Sequence, residues 1–206
     1  MAKRPASVGG LVLAAGLGRR FGGSKLLASL GDRTLVSHVL EAVSAAQASG
    51  LLAGAYVVAA ERDGPIADLT RQVGATLVPN PDPSRGLSSS LRLGLAALPG
   101  TLDAALVFLG DQPMVRVEVI EKLIDAWREG GTGVVRPRYA RTPETPGHPV
   151  LLARPVWRLA GRLEGDSGFN PQFSPGAADV RVIDVPGDNP DVNTPADLLA
   201  LEDRHR

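Results

Sequence analysis

Two spacings of apolar residues alternate along this chain, and together they lay out its elements. The run VGGLVLA over residues 8–14 is apolar or glycine throughout, as a strand covered on both faces should be. Over 33–49, Leu35, Val39, Val43 and Ala46 fall on one helical face. AYVVAA at 55–60 predicts a second strand, 65–73 a short helix and 76–78 a short strand. Leu87, Leu91, Leu95 and Leu98 mark a third helix. AALVFL at 104–109 is continuously apolar, and Val117, Ile120, Ile124 and Trp127 repeat at helical spacing after it. Beyond residue 130 the pattern loosens. Strands are expected at 134–135, 149–152 and 180–185, a short helix near 156–163, and a last helix from Ala196.

This strand–helix rhythm predicts an α/β fold, a mostly parallel sheet with helices on both faces. No internal repeat or interdomain linker interrupts it, so 1–206 reads as one domain. Ligands of such sheets bind beyond the carboxyl ends of the strands, which points to the loops after Ala14, Val78 and Leu109.

Composition narrows the function. The 206 residues carry 22 Lys+Arg against 22 Asp+Glu, which argues against a nucleic-acid partner. There is no cysteine, so disulfides, thiolate metal sites and a cysteine nucleophile are excluded. The uncharged stretch near the start, residues 5–18, has 14 residues and four glycines, short of the roughly 20 that a membrane span needs. It reads as a buried first strand rather than a signal peptide, and the expected location is cytoplasmic with no membrane contact. The 24 glycines and 17 prolines cluster between the periodic segments and so read as functional loops.

The first such loop is AAGLGRRFGGSK, from Ala14 to Lys25. Gly16, Gly18, Gly22 and Gly23 let backbone N–H groups approach an anion, and Arg19, Arg20 and Lys25 bring positive charge, a combination that suits a polyphosphate. It is neither the dinucleotide fingerprint, because Phe21 holds the third glycine position, nor a Walker loop. The bland alternative is a turn with solvated arginines. The second is Gly110-Asp111-Gln112-Pro113 at the end of the most apolar strand. A carboxylate there suits Mg²⁺, and equally a turn that caps the next helix. The third is the Asn80 to Leu91 segment, where Ser88, Ser89 and Ser90 open a helix and either bind a base or phosphate or simply cap it. His148 lies in Gly-His-Pro and Asp166 in Gly-Asp-Ser-Gly. Asn193, in Asp-Val-Asn-Thr-Pro, either caps the last helix or makes a second metal contact.

LAAGLGRRFGGSKLL, GLSSSLRLGL, GDQP, GHPV, GDSG and DVNTPADL follow one another over nearly the whole chain. In this order they resemble the nucleotidyltransferases of molybdenum cofactor maturation. Leu13-Ala14-Ala15-Gly16 is similar to the cytidylyl branch, whereas the guanylyl branch reads Leu-Ala-Gly-Gly. The resemblance implies a Rossmann-like, glycosyltransferase-A-type nucleotidyltransferase fold with a nucleotide-binding half at 6–115 and an acceptor-binding half at 116–200. It implies Asp111 as ligand of a Mg²⁺ cofactor, Lys25 and Arg19 on the triphosphate, and Ser88, Ser89 and Ser90 near the base. Ala14, Ala15, Gly16, Gly18, Gly22 and Gly23 would form the nucleotide loop, with His148 and Asp166 in the half facing a pterin. The family commonly carries Asp-Ile-Asp-Thr-Pro where this chain has Asn193 at the second acidic position.

The implied substrates are CTP and molybdopterin, and the implied further partner is a molybdenum hydroxylase apoenzyme. A phosphate monoester is largely ionised at pH 7, so transfer of CMP to it needs no general base, which agrees with the lack of a Ser/His/Asp set. Other readings are a guanylyltransferase of the same family, a nicotine blue oxidoreductase-like enzyme using NAD(P)H, and a non-catalytic carrier of the cofactor. The stretch from GDSGF to NPDVNTP is reminiscent of the oxidoreductases, although no nicotinamide fingerprint is present. A sugar or isoprenoid-alcohol cytidylyltransferase shares the first loop, but GHPV and GDSG argue against it.

Overall fold

The computed structural model describes residues 6–16, 18–131, 133–144, 147–166 and 179–204. In chain order it begins with β1 (Val8–Ala14), β2 (Ser29–Leu30), β3 (Arg33–Thr34) and helix α1 (Leu35–Ala48). Next come β4 (Ala55–Ala59), α2 (Pro65–Gln72), β5 (Thr76–Pro79), α3 (Leu87–Ala97) and β6 (Ala104–Leu109). The chain continues through α4 (Val117–Gly130), β7 (Val134–Tyr139), β8 (Val150–Ala153), β9 (Val180–Val185) and α5 (Pro195–Asp203).

Seven strands form one sheet in the order β5-β4-β1-β6-β8-β7-β9. β1 is buried along its whole length and pairs in parallel with β4 on one side and β6 on the other. β5 continues the parallel run, and β9 is parallel to β7. β8 runs antiparallel to both of its neighbours, β6 and β7. The sheet is thus mostly parallel, as the sequence predicts, with one reversed strand.

Alternate residues of β1 feed opposite cores. Val8 and Val12 pack with Val36, Val39, Leu40, Ile120 and Leu123, the inner faces of α1 and α4. Leu11 and Leu13 pack with Leu91 and Leu95 of α3 on the other face. The close seating of α3 shows at Gly94, where a Cβ would lie 2.6 Å from Leu11 Cδ1. Helices therefore cover both faces and leave the carboxyl ends of β1 and β6 open. No helix among the described residues is long and apolar enough to cross a membrane.

Three local differences from the sequence reading have physical causes. Residues 29–34 form a two-strand hairpin, and α1 begins at Leu35 because Thr34 caps it, its Oγ1 accepting from Ser37 N–H. Two-residue strands carry no readable period. Residues 154–162 form a 3-10 rather than an α-helix. Trp157, Ala160 and Leu163 recur every third residue and pack toward α3, which is the 3-10 period. Finally, β7 extends four residues beyond the pair expected, through Arg136, Pro137 and Arg138 to Tyr139, because β9 supplies a partner along its length.

Candidate active site

The loop leaving β1 folds back on itself at Gly18, whose carbonyl accepts from Phe21 N–H at 2.9 Å and Gly23 N–H at 3.2 Å. Gly18 has φ +58°, and a Cβ there would lie 3.1 Å from Lys25 Cβ, so glycine is required to bring the two ends of the loop together. The fold-back delivers Lys25 to the tip of β6. Its Nζ lies 2.6 Å from Asp111 Oδ2 and donates to Asn193 Oδ1 at 3.4 Å. Arg20 Nη2 donates to the same Asn193 oxygen at 3.3 Å. Loops from three distant parts of the chain thus converge on one point.

The segment carrying Asn193 is pinned to the β6 tip. Val192 N–H donates to the Asp111 carbonyl at 3.0 Å, while the Val192 side chain is buried with Leu30, Leu35 and Leu201. Extended backbone puts residues two apart on the same side, so Asp191 joins Asn193 in the cleft lining. Gln112 Nε2 donates to Asp191 Oδ1 at 2.7 Å. Asn189, itself buried, accepts from Met114 N–H at 3.0 Å and ties the same two segments together. Desolvation in the cleft wall and the negative charge of Asp111 push the Asp191 carboxyl above the ordinary aspartate range, against the pull of Gln112, Lys25 and Arg20.

The opposite wall is the start of α3. Asp166 Oδ1 accepts from Leu87 N–H at 3.0 Å, and the Gly165 carbonyl accepts from Ser88 N–H at 3.1 Å. A Cβ on Gly86, the residue before the helix, would lie 2.5 Å from the Gly165 carbonyl carbon, and Gly86 has φ +82°. Asp166 therefore acts as the helix cap in place of a side chain at position 86. Two of the free N–H groups expected to bind a base or phosphate are already taken.

The cleft between these walls encloses about 590 Å³. Of the residues singled out from the sequence, Ala15, Gly16, Gly18, Lys25, Ser90, Asp111, Asp166 and Asn193 line it. Ala14 is buried at the end of β1, while Gly22 and Gly23, at positive φ, shape the turn without lining the cleft. The three serines diverge because successive helical residues point in different directions. Ser88 lines a separate groove with Arg85 and Arg92, and Ser89 donates to the Gly86 carbonyl. The Arg19 side chain lies outside the described residues, as do Ser167 and Gly168 of the GDSG motif.

His148 is not part of the cleft lining; its Nε2 is buried. Burial, reinforced by the positive charge of Arg136, pushes its pKa down to about 3. Its carbonyl accepts from Tyr139 Oη at 2.8 Å and Asn189 Nδ2 at 3.3 Å. Asn193 does not cap α5. Thr194 does, its Oγ1 accepting from Asp197 N–H while Asp197 Oδ2 accepts from Thr194 N–H. A second hollow, of about 620 Å³, lies behind residues 113–116 beside Leu30, Asp32 and His38, and shares none of the cleft's lining residues.

Among the described residues no group of three or more His, Cys, Asp or Glu gathers as a metal cage. The oxygens that meet in the cleft are the carboxylates of Asp111 and Asp191 and the amide of Asn193. Two carboxylates beside substrate phosphates fit a hard divalent cation such as Mg²⁺. The Lys25 ammonium supplies positive charge at that point.

A sheet with a glycine loop after its first strand, an acid at the tip of a central strand and a deep cleft between them defines a nucleotidyltransferase fold. Residues 10–177 match the MobA-like NTP transferase domain, and the chain belongs to this family. Rv0371c from Mycobacterium tuberculosis H37Rv is similar over 98% of this chain and 100% of its own, at 30% identity and a TM-score of 0.80. A structure of Rv0371c in complex with manganese matches at 27% identity and a TM-score of 0.74, over 97% of this chain and all of that one. The 2-C-methyl-D-erythritol 4-phosphate cytidylyltransferase of Streptomyces coelicolor is 33% identical over 143 residues, 65% of this chain and 50% of that protein. The chain spans about half the length of the curated cytidylyltransferases it matches and between about a quarter and a third of the other curated relatives.

Asp191 lines the cleft, and Gln112 and Asn80 are buried behind its walls; sequence reasoning missed all three as site candidates. Asp191 was within reach, because its two-residue spacing from Asn193 in an extended segment puts both on one side.

Proposed function

We propose that the chain transfers CMP from CTP to the terminal phosphate of molybdopterin or molybdenum cofactor, releasing pyrophosphate. The observation that carries this reading is the convergence of Lys25, Asp111 and Asn193 at the mouth of a cleft whose floor is the glycine loop. The manganese complex of a similar protein and the cytidylyltransferase name of another support the metal and the base. The nucleotide half would be 6–115 and the acceptor half 116–200.

In this reading an oxygen of the acceptor phosphate attacks the α-phosphorus of CTP in line. A new P–O bond forms as the bond from the α-phosphorus to the bridging oxygen breaks, and pyrophosphate leaves with that electron pair. The attacking group is already ionised, so no side chain has to remove a proton. Asp111 and Asp191, with Asn193, would hold a divalent cation, which when bound neutralises phosphate charge. Lys25 and Arg20, and by the family resemblance Arg19, would take the β and γ phosphates and offset the charge on leaving pyrophosphate. Ala15, Gly16 and Ser90 would lie against the base and sugar. Delivery of the product to a molybdenum hydroxylase apoenzyme is the downstream role.

The test is pyrophosphate release from CTP, GTP and ATP with Mg²⁺ or Mn²⁺, with and without molybdopterin. CTP-dependent release that requires the pterin is expected. Preference for GTP would move the chain to guanylyl transfer. No release with any triphosphate, together with NAD(P)H oxidation in the presence of a quinone-like dye, would overturn the transferase reading.

A further inference from the structure

Asn80, at the end of β5, is 1% exposed, and its N–H is bound to the Ala59 carbonyl at 2.7 Å. Its Oδ1 accepts from Asp82 N–H at 3.1 Å, which fixes which side of the amide is oxygen. The NH₂ group therefore faces α3, and it donates to Ser89 Oγ and Ser90 Oγ, both at 3.0 Å. Ser89 passes its own proton to the Gly86 carbonyl at 2.8 Å. Ser90 has no such outlet. An amide nitrogen accepts no hydrogen bond, so the Ser90 proton cannot turn back to Asn80. Among the described residues no acceptor takes it, and Ser90, 5% exposed, lines the cleft.

We propose that Asn80 is a positioning residue that commits the Ser90 hydroxyl to donating into the base end of the cleft. A donor held in that direction selects a nucleobase edge that presents an acceptor, such as the O2 or N3 atom of cytosine. A buried donor left without a partner penalises a base that presents N–H there, which makes the contact selective rather than merely adhesive. The inference rests on the CTP reading above and adds a residue to it that touches no substrate.

Asn80→Asp separates this role from a structural one. It retains the oxygen that accepts from Asp82 N–H but replaces the donor by an acceptor, so the Ser90 proton turns back. Calorimetry with CTP and with pyrophosphate, which has no base, compares the wild type, Asn80→Asp, Ser90→Ala and the double variant. Each single change is expected to weaken CTP about tenfold, the scale of one hydrogen bond in a desolvated site. The double variant should be no weaker than Ser90→Ala, pyrophosphate binding should be unchanged, and in turnover KM should rise with kcat retained. Should Asn80→Asp not fold, Asn80→Ala in the same cycle must give the same non-additivity. Additive losses, an equal loss for pyrophosphate, or unchanged CTP binding in Ser90→Ala would overturn the proposal. If the wild type binds another triphosphate but not CTP, the CTP reading fails, and the same cycle with that nucleotide still decides the role of Asn80.

Discussion

Lys25 and Asp111 lie 86 residues apart in sequence, yet the ammonium of one sits 2.6 Å from the carboxylate of the other. Both side chains are largely shielded, 12% and 22% exposed, so the contact is better insulated than a surface ion pair. It also places a positive charge of the cleft where the phosphates of a nucleotide would arrive. Lys25→Ala should therefore weaken a nucleoside triphosphate by one to two orders of magnitude and the monophosphate much less. Equal losses for the two in calorimetry would take Lys25 off the β/γ end.

Asp111→Asn removes a charge without changing shape. Turnover dependent on the divalent cation should fall by orders of magnitude while the melting temperature stays close to that of the wild type. A metal titration of activity checks this, and a normal metal requirement in the variant would remove Asp111 from the metal site.

Thr194 and Asn193 are neighbours with separable tasks. Thr194→Ala loses the capping box of α5 and should lower stability by about 1 kcal/mol with the metal requirement intact. Asn193→Ala should show the reverse, a changed metal titration with little change in melting, because Lys25 and Arg20 rather than α5 hold its side-chain oxygen. Thermal melts and metal titrations of the two variants make the comparison.

His148 gives the stability a pH dependence of known sign. Its folded pKa is held down at about 3, whereas the unfolded chain takes up the proton near 6.5. The neutral ring's contribution is complete above about pH 6.5 and is lost as pH falls toward 3. At pH 5 the loss is about 2 kcal/mol relative to pH 7. Melting temperature measured from pH 7 to 4.5 should fall more steeply in the wild type than in His148→Gln, and parallel curves would refute the assignment.

Elements whose signal is local were legible in the sequence. β1, β4 and β6 are continuous apolar runs, and α3 and α4 repeat at helical spacing, so each announces itself. The glycine loop and Asp111 were legible because a strand end fixes where they lie. The contacts that complete the site were not, since they join residues that no local pattern relates. Gln112 meets Asp191 only because the 188–194 segment packs back on the β6 tip. The run Ser88-Ser89-Ser90 reads as one site in the sequence, whereas the helical turn of 100° per residue puts Ser88 in a separate groove and Ser90 on the cleft, with Ser89 and Ser90 sharing the buried Asn80 amide. The resemblance puts Asp166 in the half facing a pterin, and only the folded chain brings its carboxylate, on the cleft wall, to the Leu87 amide.

That last contact makes the start of α3 an internal gauge. The helix receives its cap from a residue 79 positions downstream, so its first turn is only as secure as the seating of the 163–166 turn. If that turn lifts, the Leu87 and Ser88 amides lose their partners together and exchange their hydrogens with solvent at one shared rate. Exchange at these two amides thus times the docking of the second half of the chain against the nucleotide wall, with no label and no substrate required.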